Sequence, residues 1–108
     1  MKLNLADKSS FLGNVTTVGR ITGRRHTVTL RLVFYNGKFY ASRRTPSGDW
    51  FKNILKNPTV LVNVGGKEIE GHAEVVKDEG LSRTISEIKY TDKRRQEKRV
   101  IVEITPKL

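Results

Sequence analysis

The residues best equipped for chemistry are arginines held in a glycine-bracketed turn. In VTTVGRITGRR, Val15–Arg25, Gly19 and Gly23 flank Arg20, and Arg24 and Arg25 follow directly. Glycine permits positive φ and close backbone approach, while guanidinium forks bind phosphate or carboxylate bidentately. Arg43 and Arg44, opening the segment RRTPSG, offer a second basic loop. Together these residues form a candidate anion site, to which backbone N–H groups at the glycines could add donors. The plainer reading of the same turn is a solvated, soluble edge.

Other chemistries find little support. The chain has no cysteine, and His26 and His72 lie far apart without a carboxylate-rich ligand pattern, so no metal site is expected. There is no G-x-S-x-G nucleophile motif. The G-x-x-x-G of Gly19–Gly23 lacks the GK[ST] that would make it a nucleotide P-loop. Trp50, the single tryptophan, could wall a planar ring or join the core. Lys89, Lys93, Arg94, Arg95, Lys98 and Arg99 put six cations into eleven residues, with Tyr90 just inside the run. That tract could meet an acidic group or simply face water.

The formal net charge of +10 comes from 21 Lys and Arg against 11 Asp and Glu. Such an excess attracts polyanions: nucleic acid, anionic lipid, or a small ligand with several phosphates or carboxylates. No apolar run approaches the roughly 20 residues of a membrane helix, and the N-terminus lacks a signal-peptide apolar stretch. The expectation is a soluble, cytoplasmic chain without membrane contact.

At 108 residues the chain has the length of one domain. Residues 1–13 read as a lead-in, frayed or briefly helical, and Val15–Val18 as a first strand. His26–Tyr35 alternates, with Val28, Leu30, Leu32 and Phe34 on one face. Asn36-Gly37 is a type I′ turn signal, so Lys38–Ser42 should pair back antiparallel. Asp49–Lys56 predicts a short helix burying Trp50, Ile54 and Leu55, stopped at Asn57-Pro58. Thr59–Val64 and Lys67–Val76 predict a hairpin around Gly65-Gly66, Asp78–Tyr90 a second helix, and Val100–Thr105 a final strand. The order β-β-β-α-β-β-α-β, linked by hairpins, argues for a mainly β chain: six or so antiparallel strands closing into a small β-barrel with short flanking helices.

Two stretches carry a family resemblance. TTVGRITGRRHTVTL, followed by AS…W-F-x-N-I-L-x-N-P-x-V-x-V-x-x-G-G, resembles the deazaflavin-dependent nitroreductase family. That family lies within the split β-barrel group of flavin-mononucleotide (FMN)-binding proteins and pyridoxamine-phosphate oxidase. The resemblance runs from about Val15 to Val76, with a looser echo in RVIVEITP. It implies a homodimer of split barrels with a deazaflavin (coenzyme F-420) or FMN at the barrel edge near the subunit interface. The basic turn would hold the coenzyme's phosphate and acidic tail, and the loop before the short helix would lie along its ring. By this resemblance Arg20 and Gly23 match the family's turn, and Ser42 and Arg43 match a Ser-Lys pair. Trp50, Asn53, Asn57 and Pro58 match the helix and its stop, and Tyr90 resembles a tyrosine near the substrate pocket. Ile21 and His26 depart from the family, which usually has Lys and Arg there; Arg24 and Arg25 could supply the missing charge.

Three functions follow as expectations. The first is a deazaflavin- or flavin-dependent oxidoreductase, in which the coenzyme carries hydride to a small organic substrate and the protein supplies position and charge. The second is a non-catalytic flavin carrier. The third is a basic barrel binding single-stranded nucleic acid, with Tyr35 and Tyr40 as outward stacking platforms.

Overall fold

The computed structural model describes residues 5–19, 21–43, 49–90 and 100–107, with the side chains of Arg43 and Asp49 left aside. Six strands close into an antiparallel barrel in the order β1-β2-β3-β6-β5-β4. They are β1 (Ser9–Val18), β2 (Arg25–Tyr35), β3 (Lys38–Arg43), β4 (Thr59–Val64), β5 (Lys67–Val75) and β6 (Val100–Pro106). Helix α1 (Asp49–Lys56) bridges β3 to β4, and α2 (Glu79–Lys89) bridges β5 to β6.

Three hairpins set the register. Asn36 and Gly37 both take positive φ, 51° and 81°, as a type I′ turn requires, and place Tyr35 opposite Lys38. Gly65 and Gly66 do the same between β4 and β5, at 58° and 81°. The Gly19–Arg24 turn joins β1 to β2, with Val18 opposite Arg25. β4 then pairs with β1 at Val62 and Val15, which shuts the barrel and removes the sheet edges.

Alternation fills the interior. Val15, Leu32, Phe34, Phe39, Val60, Val62, Ile69, Val102 and Ile104 point inward, and α1 plugs one end with Trp50, Phe51 and Ile54. A second, smaller cluster lies outside the barrel wall. There Ile85 of α2 packs on Val33, Tyr40 and Ile101. Asp78 caps α2, its carboxylate accepting from the Leu81 N–H at 3.1 Å.

Two expectations need correction. The lead-in is not all coil or helix: β1 begins at Ser9 and pairs with β2 along its whole length, Ser9 lying opposite Phe34. Serine, glycine and asparagine hide strand propensity there, and the partner strand imposes it. Leu55 is 62% exposed, whereas Trp50, Phe51, Asn53 and Ile54 are buried. At 3.6 residues per turn Leu55 sits roughly 140° around the helix from Trp50, beyond the arc spanned by those four residues.

Candidate anion site and the Ser42 cluster

The Gly19–Arg24 turn is built by its own backbone. The Gly19 N–H donates to the Arg24 carbonyl at 2.7 Å and the Gly23 N–H to the Gly19 carbonyl at 3.0 Å. The Arg24 N–H donates to Thr22 Oγ1 at 3.2 Å. Gly23 needs its glycine, at φ 72°. At Gly19 a β-carbon would stand 3.1 Å from each of three atoms: the Arg24 carbonyl oxygen, His26 Nε2 and Thr22 Oγ1. The donors that the sequence suggested for an anion are thus engaged within the turn. Side chains must do the binding, and Arg24 and Arg25 are both exposed.

Ile21 stands at the tip of this turn, 84% exposed. His26 is exposed, with its Nε2 3.1 Å from where a Gly19 β-carbon would stand. Ile21 therefore falls on the turn and His26 on β2 beside it, opposite Thr17, and among the described residues the basic character here is left to Arg24 and Arg25. Arg20 and Arg44 lie outside the described residues, as do Lys93, Arg94, Arg95, Lys98 and Arg99; of Arg43 only the backbone, at the end of β3, is described. The chemistry present fits a multiply anionic ligand, with exposed guanidinium groups around a turn whose Gly23 face is open to at least 4 Å.

Trp50, offered by the sequence as ring wall or core, is 5% exposed and packs edge-on to Phe51 at 6.1 Å between ring centroids. Beside it the buried Asn53 donates from Nδ2 to Thr17 Oγ1 at 3.3 Å, tying α1 to the strand that leads into the basic turn. This bond fixes the helix relative to Gly19, two residues further on.

The second candidate loop opens on a cluster that sequence reading left incomplete. Ser42, on the outer side of β3, receives the Lys89 ammonium at 3.0 Å on Oγ and at 3.5 Å on its carbonyl oxygen. Tyr90 Oη stands 3.4 Å from Ser42 Oγ, and Lys89 Nζ lies 5.3 Å from the Tyr90 ring centroid. Ser42 and Tyr90 were both singled out in the sequence, but nothing linked them. Lys89 was read only as one of a run of cations. Its place in the last turn of α2, next to the residue that caps the helix, was the available signal.

Tyr40 is buried at 2%, its hydroxyl donating to Glu103 Oε2 at 2.9 Å, while Lys38 reaches Glu103 Oε1 at 3.2 Å. Burial first, then the bond to the Glu103 carboxylate, raise the Tyr40 phenol above its ordinary range. Tyr35 is half-buried, its ring centroid 6.4 Å from that of Tyr40, and Phe34 and Phe39 face the barrel interior. The aromatic hairpin is therefore no base-stacking platform, because α2 covers its outer side. A cleft of about 410 Å³ at the start of α2 is lined by Glu74, Asp78 and Glu103 with Lys77, Val75, Val76 and Leu81. Its carboxylates give it the wrong sign for an anionic ligand.

The profile of the F420H(2)-dependent quinone reductase family matches residues 7–103. A comparison with curated protein sequences finds no match. Among solved structures, the chain resembles an F420-H2 dependent reductase, FDR-A, at TM-score 0.70 and 22% identity, covering 95% of this chain and 99% of that one. It also resembles a Listeria innocua protein named as a candidate pyridoxamine 5′-phosphate oxidase, at TM-score 0.69 and 20% identity over 90% and 84% of the two chains. A structure described as a domain-swapped dimer aligns at TM-score 0.70 and 22% identity over 86% and 78%. At these identities the structures speak for the shared barrel, while the profile spans nearly the whole chain. The chain belongs to the F420H(2)-dependent quinone reductase family and is a deazaflavin-dependent oxidoreductase.

Proposed function

We propose that the chain binds the deazaflavin coenzyme with its phosphate and acidic tail on the Gly19–Arg25 turn and its ring along the Ser42–Trp50 segment, and reduces a quinone. The observation that carries this reading is the self-bonded basic turn with Arg24 and Arg25 exposed, inside a family match covering residues 7–103. When bound, the coenzyme supplies the hydride. The chain's own work is to neutralise a polyanion, orient it and shield the reacting face. FMN, with a single phosphate, would engage less of the positive charge.

Residues Arg20, Arg24, Arg25, Arg43 and Arg44 are assigned to the coenzyme's anionic groups, Gly23 to the shape of the turn, and Trp50 to the base of the ring site. The active form is proposed to be a cytoplasmic homodimer. Its face is the outer wall of β1, β2 and β4, where Leu12, Asn14, Thr16, Thr27, Thr29, Leu61 and Asn63 share the surface with two charges, Arg25 and Arg31. Thr16 bonds Thr27 and Thr29 bonds Asn14, each at 2.8 Å, so the polar groups of this face are largely satisfied. In a chain of charge +10, a wall made mostly of uncharged side chains is where two copies approach with less repulsion.

The test is turnover. Reduced deazaflavin and 2-methyl-1,4-naphthoquinone are mixed with catalytic protein, and the reappearance of oxidised-coenzyme absorbance is followed. Protein-dependent oxidation supports the reading. Binding without turnover would make the chain a carrier instead.

A further inference from the structure

The chain has two histidines, and one of them stands at the basic turn. His26 follows Arg25 at the start of β2 and pairs in register with Thr17 of β1. It continues the inward row of Val28, Leu30, Leu32 and Phe34, yet it is exposed, at the point where that row leaves the packed interior. Its Nε2 stands 3.1 Å from where a β-carbon of Gly19 would sit, as do the Arg24 carbonyl oxygen and Thr22 Oγ1. The bare glycine is what lets the imidazole approach the turn so closely. Around it the described charges have one sign. Arg24 and Arg25 precede it, and α1, tied to Thr17 through Asn53, carries exposed Lys52 and Lys56. Thr17 and Asn53 are neutral and buried. The turn, β1, β2, β4 and α1 have no carboxylate among their described side chains. A negative charge that favours the imidazolium must therefore come from a ligand.

We infer that His26 couples the anion site to a proton: a polyanion at the turn is held more tightly as pH falls, because the imidazole beside it gains a charge. Reciprocally, binding the anion draws a proton onto His26, since the coupling between two ligands is symmetric. This rests on the reading of the turn as an anion site, proposed above. Histidine is the side chain whose charge ordinarily changes between about pH 5 and 8, whereas an arginine at the same place would stay charged throughout. Arg24 and Arg25 thus supply a constant attraction, and His26 a part of it that varies with pH. One added charge at an exposed site strengthens binding about two- to fivefold. A coupling of that size implies uptake of about 0.2–0.4 proton per bound ligand at its steepest.

The test uses the full chain and two ligands, oxidised deazaflavin and inositol hexasulfate, whose sulfate esters stay ionised throughout. Calorimetry between about pH 5.5 and pH 8, in two buffers of different ionisation enthalpy, reads affinity and proton uptake together. The parent should bind the hexasulfate about two- to fivefold more tightly at the acid end, with measurable uptake. His26→Gln should abolish both effects for the hexasulfate and reduce both by the same increment for deazaflavin. Any ionisation of the coenzyme itself is common to all variants and cancels in that comparison. His26→Arg should bind at the alkaline end as tightly as the parent does at the acid end. His72→Gln, on β5 between the exposed Glu70 and Glu74, should behave as the parent. Hexasulfate affinity that is flat with pH in the parent, or pH dependence retained in His26→Gln, would overturn the inference and leave the coenzyme reading standing. Hexasulfate binding with His26-dependent uptake but no deazaflavin binding would support the inference and overturn the coenzyme reading. Binding of neither ligand would overturn both. Thermal unfolding of each variant across the same pH range separates lost binding from lost fold.

Discussion

Helix α2 carries Lys89 and presents it to Ser42, so the docking of α2 should be measurable as stability. Ile85 is fully buried on the outer wall, against Val33, Tyr40 and Ile101. Ile85→Ala removes three carbon atoms from a site bounded on one side by strands β2, β3 and β6 of the closed barrel. Only the helix can settle inward to fill the gap. Partial collapse places the loss in the lower half of the usual range for such truncations, about 2–3.5 kcal/mol. For a domain of this size that lowers Tm by about 8–14 °C. Ile85→Val, which removes one methyl, should cost about 0.5–1.5 kcal/mol. Urea unfolding followed by Trp50 emission and by far-ultraviolet circular dichroism gives both values with unchanged m. A loss below about 1 kcal/mol for Ile85→Ala would refute the packing of α2 on this wall. So would a larger loss for the half-buried Leu81→Ala.

Three further outcomes are expected. Ile21→Lys, at a position 84% exposed, sacrifices no packing and adds a cation to the turn. It should tighten coenzyme binding about two- to fivefold, an effect that fades with salt, as a titration at two ionic strengths would show. Gly71→Ala forces a β-carbon to within 2.7 Å of Ile104 Cγ2 and 3.1 Å of the Thr105 carbonyl oxygen, and should cost about 1–3 kcal/mol in chemical denaturation. Tyr40 ionises above its ordinary range when folded, so above pH 10 the unfolded chain loses a proton that the native state keeps. Stability contributed by Tyr40 is therefore full below pH 10 and falls as pH rises further. Tyr40→Phe should flatten this alkaline limb, and a limb of unchanged steepness would contradict the assignment.

The order of elements was legible because punctuation residues mark each change of direction. Asn36-Gly37, Gly65-Gly66 and Asn57-Pro58 constrain the backbone locally, and the structure turns or stops at all three. The first half of β1 was not legible, since its strand character is lent by pairing with β2 and not by its own side chains. The α1 stripe was partly misread because Leu55 is apolar but falls outside the buried arc, where the polar Asn53 is buried instead. Asn53 finds Thr17, a partner 36 positions away that no local pattern reveals. The same holds for the site. The basic turn could be read from its glycines and arginines, but not that its backbone donors are spent on one another. Ser42 and Tyr90 could each be noticed, but only barrel closure and the docking of α2 bring Lys89 and Tyr90 onto Ser42.

The central claim is that this barrel takes a deazaflavin at the basic turn, and one titration tests it most directly. Purified apo-protein is titrated with oxidised deazaflavin coenzyme and, in parallel, with FMN, reading Trp50 emission and ring fluorescence, for the parent and for Arg20→Ala and Arg24→Ala. The account predicts saturable, micromolar binding of the deazaflavin, weaker binding of FMN, and a loss of deazaflavin affinity in both variants with their unfolding curves unchanged. Absence of saturable deazaflavin binding, or affinity untouched by the loss of either arginine, would contradict it.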